Sequence, residues 1–314
     1  MPTKLQKIPV STTLMFRLSI LVLAFVAMAS SADSIQTGTL PASWITGGPD
    51  CATVPDWQVH AYNDDFYILR ESGCTNYEKP FLYLIFGEDK ALLEDTGAGP
   101  VHTAAFVQDL LAKWAKKKKR AIPPLMVVHS HSHGDHIAGD KELIGLPGVD
   151  LIPPTVEAIQ AAAGIKKWPE DPGTIDLGGR ILDVLAIPGH NAASIALYDR
   201  RTALLLTGDS LYPGRLYVNV ADVPAYAASA RRLADFVRVH PVAHVLGTHI
   251  EQSRTAYVDY PTGTIYQPEE HSLELTRAHV LELDEAFTRR KEGDNQPIAL
   301  PDFTVAIRAP RPPR

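Results

Sequence analysis

The stretch Ser130-His131-Ser132-His133-Gly134-Asp135-His136 gathers three histidines and an aspartate within six residues. Imidazole and carboxylate together form a donor set that suits zinc. The hydrophobic run Leu125-Met126-Val127-Val128 leads straight into it. That run is too short for a helix and reads as a buried strand, which places the cluster in the loop beyond the strand's carboxyl end. A short helix is expected to start near Ile137. On extended backbone, side chains at i and i+2 point the same way, so His131 and His133 can share one metal ion. Asp135 and His136 lie past the turn and can face a second site. The bland alternative is a polar loop with incidental histidines, which gives no reason for so dense a set of ligand-type residues.

Three further segments repeat the arrangement: a strand-like run, then glycine and a ligand-type residue. They are Ile187-Pro188-Gly189-His190 after Ile181–Ile187, Leu206-Thr207-Gly208-Asp209 after Ala203–Leu206, and Leu246-Gly247-Thr248-His249 after Val242–Leu246. Glycine lets the backbone turn sharply and approach a metal closely. Leu93-Glu94-Asp95-Thr96-Gly97 is another strand end carrying an acid. Strand-like runs also occur at Phe66–Arg70, Phe81–Phe86, Ala91–Leu93, Val149–Ile152 and Ile195–Tyr198, with a hairpin through Asp199-Arg200-Arg201. Helices are predicted over Val101–Lys117, where Val101, Ala104, Ala105, Leu111 and Trp114 share a face, and over Thr155–Ala163, Ala225–Val239 and Pro268–Lys291. The basic run Lys116 to Arg120 suits a solvated helix C-terminus. Strands dominate early and then interleave with helices, a pattern that partly recurs after residue 175 and predicts two sheet layers covered by helices.

These pieces, in this order, resemble the metallo-β-lactamase-fold hydrolase superfamily. Asp95 matches its first motif, His131-x-His133-x-Asp135-His136 its second, and His190, Asp209 and His249 the remaining three. The resemblance spans about residues 57–250. It implies an α/β, αββα four-layer sandwich with a binuclear centre at one edge of the two sheets. Carried over, His131, His133 and His190 would hold one zinc, Asp135, His136 and His249 the other, and Asp209 would bridge both, giving two Zn2+ per chain. The implied nucleophile is a hydroxide shared by both ions, with Asp135 orienting it and passing a proton on, and Asp95 tying a ligand loop without touching metal. An aspartate at the bridging position is similar to the thioesterase and lactonase branches more than to true β-lactamases. His133 stands where flavodiiron oxidoreductases carry glutamate. Tyr212, three residues after Asp209, matches a tyrosine that lactonases use to hydrogen-bond the substrate carbonyl; its other reading is a packing aromatic. Glu251 and Gln252 also fit the lactonase pattern.

One departure stands out: many relatives place the last histidine directly after the glycine, whereas Thr248 intervenes here. Either the strand ends one residue later or the second metal is held less tightly. His244 and His240 are nearby alternatives to His249, with His240 ending a helix before Pro241. His129 is either a partner to the ligands or a packed strand histidine. The segment Tyr257–Gln267 either roofs the site or is an ordinary surface loop.

The whole chain sets bounds on these readings. Its 314 residues, 45% hydrophobic, suffice for a sizeable core, and a formal charge of -6 argues against nucleic acid as a partner. Residues 1–29 read as a secretory signal: Lys4, Lys7 and Arg17, then a largely apolar run from Leu18 to Ala29 ending in Ala27-Met28-Ala29. The competing reading is a retained anchor, for which twelve residues fall short of the ~20 that a span needs. Cleavage would take the charge to -9, because the segment holds three basic residues and no acidic one. Residues 30–56 form an irregular lead-in, 57–292 the hydrolase domain, and 293–314 a Pro- and Arg-rich tail that frays. Cys51 and Cys74 both fall in the exported part, where they can pair in a disulfide or remain buried thiols. The expected protein is thus a secreted or periplasmic zinc hydrolase without a stable membrane anchor, acting on a small-molecule ester, lactone, thioester or β-lactam. The alternatives are a small-molecule phosphodiesterase of the same fold and a one-iron sulfur dioxygenase.

Overall fold

A computed structural model describes residues 1–3, 34–99, 102–291 and 293–309. The hydrophobic leader and its cleavage point, and Val101, lie outside the described residues. No helix among them is long and apolar enough to cross a membrane. The elements run in order β1 (Trp57–Asn63), β2 (Phe66–Glu71), β3 (Phe81–Phe86), β4 (Ala91–Glu94), α1 (Thr103–Lys118), β5 (Leu125–Val128), α2 (Gly134–Ile137), α3 (Asp140–Leu143), β6 (Val149–Leu151), α4 (Val156–Ala163), β7 (Gly173–Asp176), β8 (Ile181–Ala186), β9 (Ile195–Asp199), β10 (Leu204–Gly208), β11 (Arg215–Asn219), α5 (Val223–Val239), β12 (His244–Gly247), β13 (Glu274–Leu275), α6 (Arg277–Arg289), β14 (Ile298–Ala299) and β15 (Thr304–Arg308).

Two six-stranded sheets form, ordered β1-β2-β3-β4-β5-β6 and β13-β12-β10-β9-β8-β7. Their inner strands β3, β5, β9 and β10 are buried on both faces, as expected of sheets covered on both sides. Leu92, Met126 and Val128 from the first sheet meet Leu182, Val184, Leu197, Leu204 and Leu206 from the second in one core. The alternate residues Leu82, Leu84, Leu93 and Val127 pack on Val107, Leu110, Leu111 and Trp114 of α1. On the far side, Leu185, Ala196, Leu205 and Val245 pack on α5 and α6 through Tyr226, Leu233, Val237, Val280 and Leu283. The period-two alternation of each strand therefore builds four layers, helix–sheet–sheet–helix: an α/β αββα sandwich, as expected.

Four expectations need correction. Ala105 is exposed, and Val107 and Leu110 complete the buried stripe of α1 instead. The last helix begins at Arg277 and not at Pro268, because Leu275 and Glu274 pair with β12 and a capping box at Thr276 and His279 starts the helix there. Trp57–Asn63 is a strand, pairing with β2 outside the expected set. The C-terminal region does not simply fray: β15 lies parallel to β11 and antiparallel to β14 in a third, three-stranded sheet. Residues 310–314 lie outside the described set. Cys51 and Cys74 are joined by a disulfide with an S–S distance of 2.09 Å, which ties the lead-in to the β2–β3 loop.

Candidate metal centre

The ligand-type residues follow the carboxyl ends of β4, β5, β8, β10 and β12, all at one edge of the two sheets. They form two clusters, His131–His133–His190 and Asp135–His136–Asp209–His249, whose donor atoms lie within 4.8 Å of one another in each cluster. In the first, the Nε2 atoms of His131 and His190 each lie 2.9 Å from Nδ1 of His133. Asp209 Oδ2 lies 3.8 Å from His131 Nε2 and 3.5 Å from His190 Nε2. In the second, Asp209 turns its other oxygen, Oδ1, to within 3.5 Å of His136 Nε2 and 3.2 Å of His249 Nε2. Asp135 Oδ2 completes that cluster, 3.3 Å from His136 Nε2 and 3.4 Å from His249 Nε2. His133 is the exposed member, whereas His131, His136, His190 and His249 are buried.

The outer nitrogens fix which edge of each ring faces inward. His190 Nδ1 donates to the Tyr217 carbonyl at 2.8 Å, and His249 Nδ1 to the Glu78 carbonyl at 2.9 Å. His136 Nδ1 donates to Asp95 Oδ2 at 2.8 Å. Each of these rings then turns Nε2 to its cluster, as metal-ligating histidines do. Imidazole nitrogens and carboxylate oxygens converging this closely are the donors a divalent metal takes, so the set fits one.

The electrostatics of the two clusters differ. Burial, reinforced by the neighbouring His136, holds His131 well below the usual histidine range, and burial likewise lowers His190. At His136 burial opposes protonation, yet the carboxylates of Asp95, Asp209 and Asp135 outweigh it and raise the group well above its usual value. His249 is raised in the same way, against burial, by Asp209 and Asp135. Burial would raise the Asp209 carboxyl, but His249, His136 and His131 overcome it and keep the group ionised. Asp135 is held ionised against burial by His136 and His249. His131 and His190 thus resist protonation, while the carboxylate-bearing cluster demands positive charge.

Asp95 does not join either cluster. Its oxygens accept from Ser130 N at 2.7 Å and Ser130 Oγ at 2.8 Å as well as from His136, so it orients the ligand loop. It does so from a left-handed conformation, φ 66°, which is uncommon outside glycine. Gly208 is also left-handed, and a Cβ there would lie 2.7 Å from Ser130 Cβ, so glycine is required where β10 delivers Asp209. His129 belongs to neither cluster; its Nε2 lies 2.8 Å from Asp140 Oδ1. His240 stacks on Phe236, and His244 lies edge-on to Tyr62, so neither joins the centre.

Thr248, the extra residue before His249, is fully buried and donates its hydroxyl to Asp209 Oδ1. It therefore sets the rotation of the carboxylate shared by the two clusters. Thr248→Val is expected to cost on the order of 1.5–3 kcal/mol in metal-free protein, the range for a hydrogen bond to a charged group. Urea unfolding should show that loss, and Thr248→Ser should recover most of it; a valine variant as stable as wild type would rule the contact unimportant.

A cavity of about 570 Å³ opens over both clusters, with Tyr77, Tyr217, Glu251, Thr262 and Arg308 on its wall. Tyr212 also lines it and packs its ring 5.5 Å from that of His249. The Tyr212 hydroxyl donates to the Arg215 carbonyl at 2.5 Å and lies 3.2 Å from Glu251 Oε2, so it is spent on that pair and not on the open volume. Glu251 in turn binds Arg215 Nη2 at 2.8 Å. Thr262 brings the loop after His249 to the cavity. Ser130, Tyr217 and Arg308 carried no sequence signal: Tyr217 acts partly through a backbone carbonyl, and Arg308 through a strand pairing that no local pattern announces.

A family model described as the metallo-beta-lactamase superfamily matches residues 79–265. The chain is 38% identical over 238 residues to the acyl-coenzyme A thioesterase MBLAC2 of Gallus gallus, covering 62% of this chain and 81% of that protein. The Bos taurus protein of that name is 25% identical over 231 residues with the same coverage. A hydroxyacylglutathione hydrolase of Aeromonas hydrophila is 31% identical over 160 residues, covering 49% of this chain and 56% of that protein. Among solved structures, a metallo-beta-lactamase from Pontibacter korlensis is 17% identical with a TM-score of 0.49, covering 74% of this chain and all of that one.

Proposed function

The chain belongs to the metallo-beta-lactamase superfamily, and on that premise we propose that it is an exported hydrolase that binds two zinc ions and opens a thioester or ester carbonyl. That it is a metal-dependent hydrolase follows from the family and its relatives. The finer reading is carried by one observation: Asp209 presents one oxygen to each of two complete donor clusters. The names of the relatives, an acyl-coenzyme A thioesterase and a hydroxyacylglutathione hydrolase, favour a thioester. The hydrophobic leader and the Cys51–Cys74 disulfide support export to an oxidising compartment.

In this reading His131, His133 and His190 hold one ion, Asp135, His136 and His249 hold the other, and Asp209 serves both. Metal bound there supplies Lewis acidity, which makes a water nucleophilic near neutral pH and draws charge from the carbonyl. The chain's own residues do the rest. The exposed ring of His133 marks the side from which substrate arrives. Asp135, which turns Oδ2 to His136 and His249, takes a proton from the attacking water as the water oxygen bonds to the carbonyl carbon. The same carboxyl returns that proton to the leaving sulfur or oxygen as the carbon–heteroatom bond breaks. Asp95, Glu78 and Tyr217 hold the histidine rings so that no reorganisation is needed at the moment of reaction.

Purified protein loaded with zinc should contain two ions per chain and should cleave a thioester with higher kcat/KM than a cyclic ester, a β-lactam or a phosphodiester assayed in parallel. One iron per chain, or a phosphodiester as the best substrate, would overturn the reading. His133→Ala and Asp135→Ala are each expected to lower kcat/KM by more than about a hundredfold while the metal-free protein still unfolds in one cooperative transition. Activity within about tenfold of wild type would defeat their assignment.

A further inference from the structure

The cavity wall is rich in acids, yet each is already answered. Asp135 and Asp209 face imidazoles, Glu251 pairs with Arg215, and Glu78 hydrogen-bonds the Tyr77 hydroxyl, which that contact pushes up to about 12. Arg308 is the one lysine or arginine on this wall among the described residues. No carboxylate among them pairs with it. Its guanidinium carbon instead lies 3.3 Å from the centre of the Tyr217 ring. Stacking on an aromatic face fixes a guanidinium plane while leaving its N–H edge free for a planar or tetrahedral anion.

The placement is set by strand register. β15 runs parallel to β11 with Ala306 opposite Tyr217 and Arg308 opposite Asn219, so Arg308 reaches Tyr217 along the diagonal. Tyr217 is at the same time the residue whose carbonyl holds the His190 ring. One residue thus couples Arg308 to the metal centre. β15 also lies beyond residues 79–265, the part that matches the family.

We propose that Arg308 is an anion subsite, binding a carboxylate or phosphate that the substrate carries away from its scissile carbonyl. The inference rests on the hydrolase reading above and narrows its substrate to anionic thioesters or esters. The test uses the full exported chain, zinc-loaded, and thioesters matched in size that are neutral, carboxylate-bearing or phosphate-bearing, with the charge on either the acyl or the thiol side.

Wild type should prefer at least one charged series over the neutral one by about tenfold or more in kcat/KM, chiefly through KM, as a charge-assisted hydrogen bond allows. Which series is preferred separates carboxylate from phosphate as the source. Arg308→Gln should erase the preference, lowering kcat/KM for the favoured charged series by about tenfold more than for the neutral one, and Arg308→Lys should keep part of it. Equal turnover of neutral and charged substrates by wild type overturns the subsite while the hydrolase reading stands. A glutamine variant that slows every substrate alike also overturns it, because Arg308 then only braces β11. If wild type cleaves neither these thioesters nor esters matched to them, the underlying reading fails and the subsite with it.

Discussion

Asp209→Ala should strip metal from both clusters and lower kcat/KM by more than about a thousandfold, a loss of about 4 kcal/mol in transition-state stabilisation. No other single residue is expected to act on both. His131, His133 and His190 belong to one cluster and Asp135, His136 and His249 to the other, so each of their alanine variants leaves one donor set whole. Asp209 Oδ2 faces the first set and Oδ1 the second, and Thr248 anchors Oδ1 from the protein side. The residue is buried, so water cannot fully replace the lost oxygens. Asp209→Asn keeps shape and one oxygen but exchanges the other for an amide nitrogen that has no lone pair to offer. Metal content measured by elemental analysis should therefore fall at both sites in the alanine variant and more at one site in the asparagine variant. Two tightly held ions per chain in Asp209→Ala would remove Asp209 from its bridging role.

Much of this centre could be read from the sequence because the chemistry is local. Each ligand follows a short apolar strand and sits within two residues of a glycine or in a dense histidine run, so residue type and spacing alone place His131, His133, Asp135, His136, His190, Asp209 and His249 at strand ends. What sequence does not show is what holds them. The carbonyls of Glu78 and Tyr217 that orient His249 and His190 belong to residues whose side chains are irrelevant to that task. Thr248 read as a disturbance of the expected Gly-His order, and its meaning lies in a contact with Asp209, 39 residues away in the chain. β15 is hidden from the sequence for the same reason. Its neighbours in sequence are proline and arginine, and its strand character comes from pairing with β11, some 90 residues earlier. Tyr212 shows the converse: the lactonase resemblance leaves open a group aimed at substrate or a packing aromatic, and only the folded chain directs its hydroxyl to Arg215 and Glu251.

Arg180→Ala is expected to be the most destabilising single change away from the metal centre, costing about 3–5 kcal/mol because it leaves a buried carboxylate without its counterion. Arg180 and Asp199 have fully buried side chains. The guanidinium donates through Nε and Nη2 to Asp199 at 3.2 and 2.5 Å, and through Nη1 to the carbonyls of Asp65 and Phe86 at 2.6 and 3.0 Å. It therefore clamps the β7–β8 turn and β9 of the second sheet to the ends of β2 and β3 in the first. A buried pair can often be exchanged for apolar residues without loss, but here Arg180→Met combined with Asp199→Leu should recover less than half of the deficit. The carbonyls of Asp65 and Phe86 would each lose the guanidinium donor, Asp65 keeping only the Phe86 N–H, and the backbone nitrogen of Arg201 and the hydroxyl of Thr202 would lose the carboxylate that accepts from them. The partly exposed pair Arg200–Asp183 lies on the same two strands and offers a control, since breaking a solvent-screened pair should cost less than about 1 kcal/mol. Urea unfolding of the four proteins orders these costs, and equal midpoints for Arg180→Ala and Arg200→Ala would show that the clamp adds nothing to what a surface pair supplies. Because the clamp touches no ligand of either cluster, kcat per folded Arg180→Ala molecule should match wild type, which separates the holding of the two sheets from the chemistry at their edge.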